Sequence, residues 1–278
     1  MQPNLLSDIE RQVSLALIED MGTRDVTAEL VPEQAQAVAL VISREEAVLC
    51  GTAWFEACFQ QLDFDAYVTW FAREGELVQP DQKLCEIHGN ARALLTAERC
   101  ALNFLQMLSA VATETRKYVN AIEGTNAVIM DTRKTLPGLR TAQKYAVTVG
   151  GGKNQRIGLF DGVLIKENHI AAAGGIAAAL KAAKEISDLP VQIEVESLEE
   201  LQAALDAGAK LILLDNFTLE QMCSAVALTA GRAALEASGN VTLATVRAIA
   251  ETGVQRISIG GLTKNIRAVD LSMRIETD

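Results

Sequence analysis

From about residue 125 the chain alternates short apolar runs with polar or glycine-bearing tips. Ala127–Met130 ends on Asp131, Gly162–Ile165 on Lys166, and Val191–Ile193 on Glu194. Leu211–Leu214 then ends on Asp215-Asn216, Ala233–Leu235 leads to Ser238-Gly239-Asn240, and Ile257–Ile259 ends on Gly260-Gly261. From Lys166 onward the tips follow at intervals of 28, 21, 23 and 22 residues, the length of a compact strand–helix repeat. Apolar residues at helical spacing fill the gaps at Ile176–Ile186, Leu198–Ala207, Leu219–Thr229 and Leu243–Thr252, with Gly208 placed to end the second of these. Parallel strands crossed by helices close into a barrel or an open wound sheet, and in both the ligand site lies at the C-terminal ends of the strands. Every tip falls at that end, which predicts a barrel-like α/β architecture with a site at its mouth.

The first ~110 residues follow another pattern. An amphipathic helix over Ile9–Glu19 precedes a turn-rich stretch, Asp20 to Thr27, and alternating strands follow at Ala37–Ser43 and Tyr67–Phe71. After the segment Gly75–Gly89 a helix is expected over Ala91–Ser109. This order points to a separate α+β sandwich at residues 1–108, followed by a barrel domain at 109–265. No linker rich in Pro, Gly or Ser divides them, so the helical region Ala91–Val119 is expected to run from one into the other. The amphipathic tail, residues 266–278, is expected to pack back on the first domain.

Composition narrows the function classes. With 278 residues, 49% of them hydrophobic, the chain can bury a large core, and no stretch supplies about 20 lipid-compatible residues. The N-terminus lacks a basic region followed by an apolar one, so no secretory leader is expected. Five scattered cysteines, none in a C-x-x-C pair, point to reduced thiols in a cytoplasm rather than to disulfides or structural zinc. A net charge of −11 argues against general nucleic-acid binding. Yet from Met130 to Ile170 seven Lys/Arg face three Asp/Glu, about +4 in that segment alone. Cations gathered against the prevailing charge, and interleaved with the triplet Gly150–Gly152, suit a pocket for a small, highly anionic ligand.

Five tracts carry a resemblance. Thr96-Ala-Glu-Arg-Cys-Ala-Leu-Asn103, Asp131-Thr-Arg-Lys-Thr-Leu-Pro-Gly138, Gly150-Gly-Gly-Lys-Asn-Gln-Arg156, Leu164-Ile-Lys-Glu-Asn-His169 and Leu213-Leu-Asp-Asn216 together resemble the quinolinate phosphoribosyltransferases. The likeness runs in order from about Asp20 to Lys264. It implies an N-terminal sandwich, an open seven-stranded α/β barrel, and a homodimer or dimer-based hexamer whose site is shared between subunits. The implied substrates are quinolinate, with two carboxylates, and phosphoribosyl pyrophosphate, with three phosphoryl groups. The implied products are nicotinate mononucleotide, pyrophosphate and CO₂.

Such ligands call for several cations, Arg above all where a carboxylate takes a two-pronged grip. By the resemblance Arg133 and Arg156, with Thr132 alongside and Arg99 reaching in from the other subunit, hold quinolinate. Lys134 and Lys166 bridge substrate and phosphoryl oxygens. Glu194 and Asp215 end neighbouring strands, and carboxylates facing pyrophosphate require a hard cation between them, which implies Mg²⁺ held mainly by substrate and water. Asp215 could instead cap the helix that begins near Thr218. Glu196 and Glu199 lie beyond the strand and are expected to be solvated. The late turns Ser238-Gly239-Asn240 and Ser258-Ile259-Gly260-Gly261 are placed to offer backbone N–H groups to the ribose 5-phosphate. Gly150–Gly152 is read as a turn that aims Arg156 inward, His169 as a residue orienting its loop, and His88 as structural. The family often has His where this chain has Gln155, and an amide cannot replace histidine as an acid.

Three rivals stand beside this reading: a related phosphoribosyltransferase acting on nicotinate, a Schiff-base lyase using Lys166 or Lys134, and a non-catalytic phosphometabolite-binding barrel. Five cations and two acidic tips suit the quinolinate enzyme best.

Overall fold

The computed structural model describes residues 5–276. In chain order the first elements are α1 (Leu5–Met21), β1 (Gln36–Ser43), β2 (Ala47–Val48), α2 (Thr52–Gln60), β3 (Tyr67–Trp70), β4 (Leu77–Val78), β5 (Lys83–Asn90) and α3 (Ala91–Ala121). Then follow β6 (Val128–Met130), α4 (Arg140–Val149), β7 (Val163–Ile165), α5 (Glu167–Ala173), α6 (Ile176–Ile186), β8 (Val191–Val195) and α7 (Leu198–Asp206). The last are β9 (Leu211–Asp215), α8 (Leu219–Thr229), β10 (Ala234–Ser238), α9 (Val246–Glu251), β11 (Arg256–Ser258), α10 (Gly261–Lys264) and β12 (Leu271–Glu276).

One compact unit comprises the described residues up to Glu114, Leu136–Gly150 and the chain from Thr263 onward. Its antiparallel sheet has the order β12-β1-β5-β3. Alternation in β1 turns Ala39, Val41 and Ser43 to the buried face. The C-terminal tail enters the sheet as β12, pairing Ala39 with Ile275 and Ser43 with Leu271. The core gathers Trp54, Phe55 and Phe59 of α2 with Leu84 and Ile87 of β5. The indole N–H of the buried Trp54 donates to Gln12 Oε1 at 2.8 Å, as a buried polar group requires. Residues 136–150, expected in the barrel domain, cluster with this unit for visible reasons. Tyr145 of α4 lies 5.4 Å from Trp54, ring to ring. The fully buried Gln143 accepts the Leu136 N–H and donates to the Thr263 carbonyl, both at 2.8 Å.

The second unit, Thr115–Thr135 with Gly151–Leu262, contains a parallel sheet of order β6-β11-β10-β9-β8-β7. A seventh chain segment joins through a single parallel bridge, Met130 to Lys153. Among the described residues no strand pairing links that segment to β7, so the barrel is open there. Ile193, Val195, Ile212, Leu214, Leu235, Ala237 and Ile257 are all buried, and they form the strand face that the surrounding helices cover. The opposite face is inward. Partners in a parallel register share a face, so Glu194, Leu213, Glu236 and Arg256 form one interior layer. Asp215 and Ser238 form the next layer toward the mouth. Glu194 therefore lies within β8 rather than ending it.

Candidate active site

The mouth is built from loops that grip one another. Asp131, fully buried just after β6, accepts the Gln155 N–H at 2.8 Å, and its own N–H donates to the Lys153 carbonyl. Two cation-bearing loops, 131–134 and 153–156, are thereby tied together. Thr132 Oγ1 accepts the Lys134 N–H at 3.1 Å, which folds the Arg133 turn. Gly260 leaves room for Lys134: a Cβ there would sit 2.9 Å from Lys134 Cδ. Gly150 caps the end of α4, and Gly151, at φ +95°, turns the chain into the second loop.

Arg156 is half-buried, with Nη1 donating to the Gly162 carbonyl at 3.0 Å. Asp161 folds the intervening loop by accepting the N–H groups of Ile157 and Gly158. Burial, and next the Arg133 guanidinium, pull Arg156 below the ordinary arginine range, while Asp161 opposes them. Two guanidiniums whose charges oppose one another in a partly desolvated mouth are suited to an anion.

Across the mouth Lys166 Nζ contacts both Glu194 oxygens, at 2.9 and 3.2 Å. The Lys166 N–H donates to His169 Nδ1 at 3.1 Å in a capping arrangement that opens α5, so His169 orients the loop. Asp215 ends β9 and accepts from Asn216 Nδ2 at 2.9 Å. It does not cap α8, because Thr218 and Gln221 cap that helix reciprocally. Glu196 and Glu199 are exposed.

Ser238, Gly239 and Asn240 turn outward beside Asp215, and the Asn216 N–H donates to the Ser238 carbonyl at 3.0 Å. Gly239 sits at φ +105°, and a Cβ there would overlap Asn216 Oδ1 and lie 3.1 Å from its Cα. Gly239→Ala is accordingly expected to lower stability by ~1–3 kcal/mol, the scale of a forced left-handed backbone, measurable by denaturant melting. In the last loop the Ile259 N–H is already donated to the Met130 carbonyl, which leaves Gly260 and Gly261 as that loop's candidate phosphate donors. Arg99 lies exposed on α3 in the other compact unit.

Residues that sequence reasoning passed over lie one layer deeper. Glu236, fully buried, sits 2.9 Å from Arg256 and accepts from Gln155 Nε2 at 2.6 Å; the same amide is 3.3 Å from Gln192 Oε1. Alternation with Ser238 along β10 was the available signal.

Among the described residues no three His, Cys, Asp or Glu side chains gather to hold a metal ion. Glu194 and Asp215 alone cannot enclose a divalent cation. They fit one whose other ligands are phosphoryl oxygens and water, the usual state of Mg²⁺. No helix of the described residues is long and apolar enough to cross a membrane.

Residues 111–274 match the model of the quinolinate phosphoribosyl transferase C-terminal domain, and residues 25–109 that of the N-terminal domain. The chain is 41% identical to the chloroplastic nicotinate-nucleotide pyrophosphorylase (carboxylating) of Oryza sativa subsp. japonica, over 98% of this chain and 78% of that one. It is 39% identical to the protein of the same name from Arabidopsis thaliana, over 98% and 84%. Among solved structures, the nicotinate-nucleotide pyrophosphorylase from Francisella tularensis superposes with a TM-score of 0.94 at 46% identity, covering 98% of this chain and 97% of that one.

Proposed function

The chain belongs to the quinolinate phosphoribosyltransferase family, and from that premise we propose how its barrel mouth works. The enzyme transfers a phosphoribosyl group to quinolinate with decarboxylation, a step of NAD biosynthesis. Pyrophosphate leaves C1 of the ribose as positive charge builds on the ring, the pyridine nitrogen attacks, the C2 carboxylate departs as CO₂, and the electron pair left on C2 takes a proton from water. No covalent enzyme intermediate is required, so the protein contributes by positioning and by electrostatics.

Arg133 and Arg156 take the quinolinate carboxylates, and the observation that carries this reading is the buried Asp131, which accepts the Gln155 N–H at 2.8 Å and ties the two arginine-bearing loops together. A dianion offsets the two opposing guanidinium charges better than the single carboxylate of nicotinate does. Lys134 and Lys166 reach substrate and phosphoryl oxygens. Lys166 is held in the meantime by Glu194, so an incoming anion competes for a cation already aimed across the mouth. The Ser238–Asn240 and Ser258–Gly261 loops receive the ribose 5-phosphate. Arg99, exposed on α3, acts in the pocket of a second copy, which makes the working unit a homodimer or a dimer-based hexamer. A cytoplasmic location is proposed from the scattered spacing of the five cysteines, none in a C-x-x-C pair.

Asp215 and Glu194 would hold Mg²⁺ together with substrate and water, and the ion would neutralise charge on the leaving pyrophosphate. Asp215→Asn or Glu194→Gln is then expected to raise the Mg²⁺ requirement and depress turnover, with quinolinate affinity in the absence of Mg²⁺ little changed. Wild-type activity of both variants across a Mg²⁺ titration would remove the metal assignment. The diacid preference is tested by calorimetry: quinolinate should bind the free enzyme well above nicotinate, and equal affinities would return the nicotinate reading to favour.

A further inference from the structure

We propose that Gln155, Glu236 and Arg256 form a buried positioning unit that fixes where Arg156 presents its guanidinium. This rests on the assignment of Arg156 to quinolinate. Gln155 is held at both ends. Its backbone N–H donates to the buried Asp131 at 2.8 Å, and its side-chain amide donates to Glu236 at 2.6 Å with Gln192 Oε1 at 3.3 Å. Arg156 is the next residue, so the backbone that carries it can shift only if these bonds give.

Glu236 is the anchor of this arrangement. It has no solvent exposure, and a carboxylate so placed needs a counter-charge as well as hydrogen bonds. Gln155 and Gln192 are neutral, and the cation is Arg256, with Nε 2.9 Å from Glu236 Oε2. Those two atoms are not aligned as a hydrogen bond, so the contact acts chiefly through charge. Glu236 and Arg256 are register partners on β10 and β11, with Leu213 opposite on β9, so the pair is set by the sheet rather than by a loop. A sheet-borne carboxylate thus fixes a loop-borne amide, and through it the neighbouring arginine at the mouth. Gln155 needs no proton-transfer chemistry in this role, because its amide donates to Glu236 as it stands.

The test is steady-state kinetics with both substrates varied, and with melting temperature read in parallel. Arg256→Met removes the counter-charge. It should raise the KM for quinolinate about tenfold or more while the KM for phosphoribosyl pyrophosphate and kcat stay within about twofold. Adding Glu236→Gln to Arg256→Met should restore most of the quinolinate KM, because an amide at 236 needs no cation and can still accept from Gln155. Should Arg256→Met fail to fold, Gln155→Asn carries the same expectation, since its shorter side chain keeps the backbone bond but falls short of Glu236. A loss of melting temperature with the quinolinate KM unchanged would overturn the proposal, as would equal rises in both KM values or no recovery in the double variant. Failure of the wild type to use quinolinate at all would instead strike the reading of the site itself.

Discussion

Replacing Arg156 by alanine is expected to weaken quinolinate binding ten- to a hundred-fold in a protein that remains folded. A charge-assisted hydrogen bond to a carboxylate contributes about 1.5–3 kcal/mol, and the half-buried Arg156 loses little of that to solvent screening. The neighbouring Arg133 should behave alike. Removing either arginine also relieves the repulsion between them, so the surviving guanidinium gains some freedom but cannot grip both carboxylates. Arg156→Lys should recover only part of the loss, because an ammonium lacks the planar two-pronged geometry. Calorimetric titration gives the affinity and circular dichroism the fold; unchanged affinity in a folded variant would remove Arg156 from the site.

A larger effect is expected from Arg99, and it can be reversed without restoring the residue. Arg99→Ala and Arg133→Ala should each be nearly inactive alone at quinolinate well below the wild-type KM. If Arg99 serves the pocket of a second copy, mixing the two chains rebuilds one complete pocket per mixed dimer, because the intact Arg99 of one meets the intact Arg133 of the other. Random assortment makes about half the dimers mixed, with one of two pockets whole, so activity should approach roughly a quarter of wild type. Subunit exchange is checked separately by tagged co-purification. With exchange established, no recovery above the parents would mean that Arg99 acts within its own chain or outside the site.

How far the sequence reveals this arrangement depends on which face of each element is apolar. The helices α6 and α8 match their expected limits at both ends, because a continuous apolar stripe is bracketed by Gly174-Gly175 in one case and by the Thr218 cap in the other. Strands read short. The apolar runs end at Ile193 and Leu235, whereas β8 continues to Val195 and β10 to Ser238. The reason is physical: in this barrel the polar residues Glu194 and Glu236 alternate with the apolar ones that face the helices, and a reader of apolar runs stops at the first of them. Glu236 is hidden for that reason, while the tip residues Lys166, Asp215 and Gly260 stand out.

Helix α4 is hard to read from the sequence for a related cause. Its buried side includes Gln143 and Lys144, which break the apolar stripe that would have announced it. The segment β12 was legible as amphipathic, but its pairing with β1 spans more than 200 residues of sequence and leaves no local trace. The cations of residues 130–170 are legible as a cluster because they oppose the net charge of −11, yet the clamp that Asp131 makes on Gln155 is a tertiary fact.

The most direct test supplies the purified protein with quinolinate labelled in its C2 carboxylate, phosphoribosyl pyrophosphate and Mg²⁺, and follows CO₂, pyrophosphate and mononucleotide together. One labelled CO₂ and one pyrophosphate should appear for each nicotinate mononucleotide formed. Mononucleotide made from nicotinate with quinolinate left untouched, or phosphoribosyl pyrophosphate bound without any turnover of quinolinate, would contradict the account.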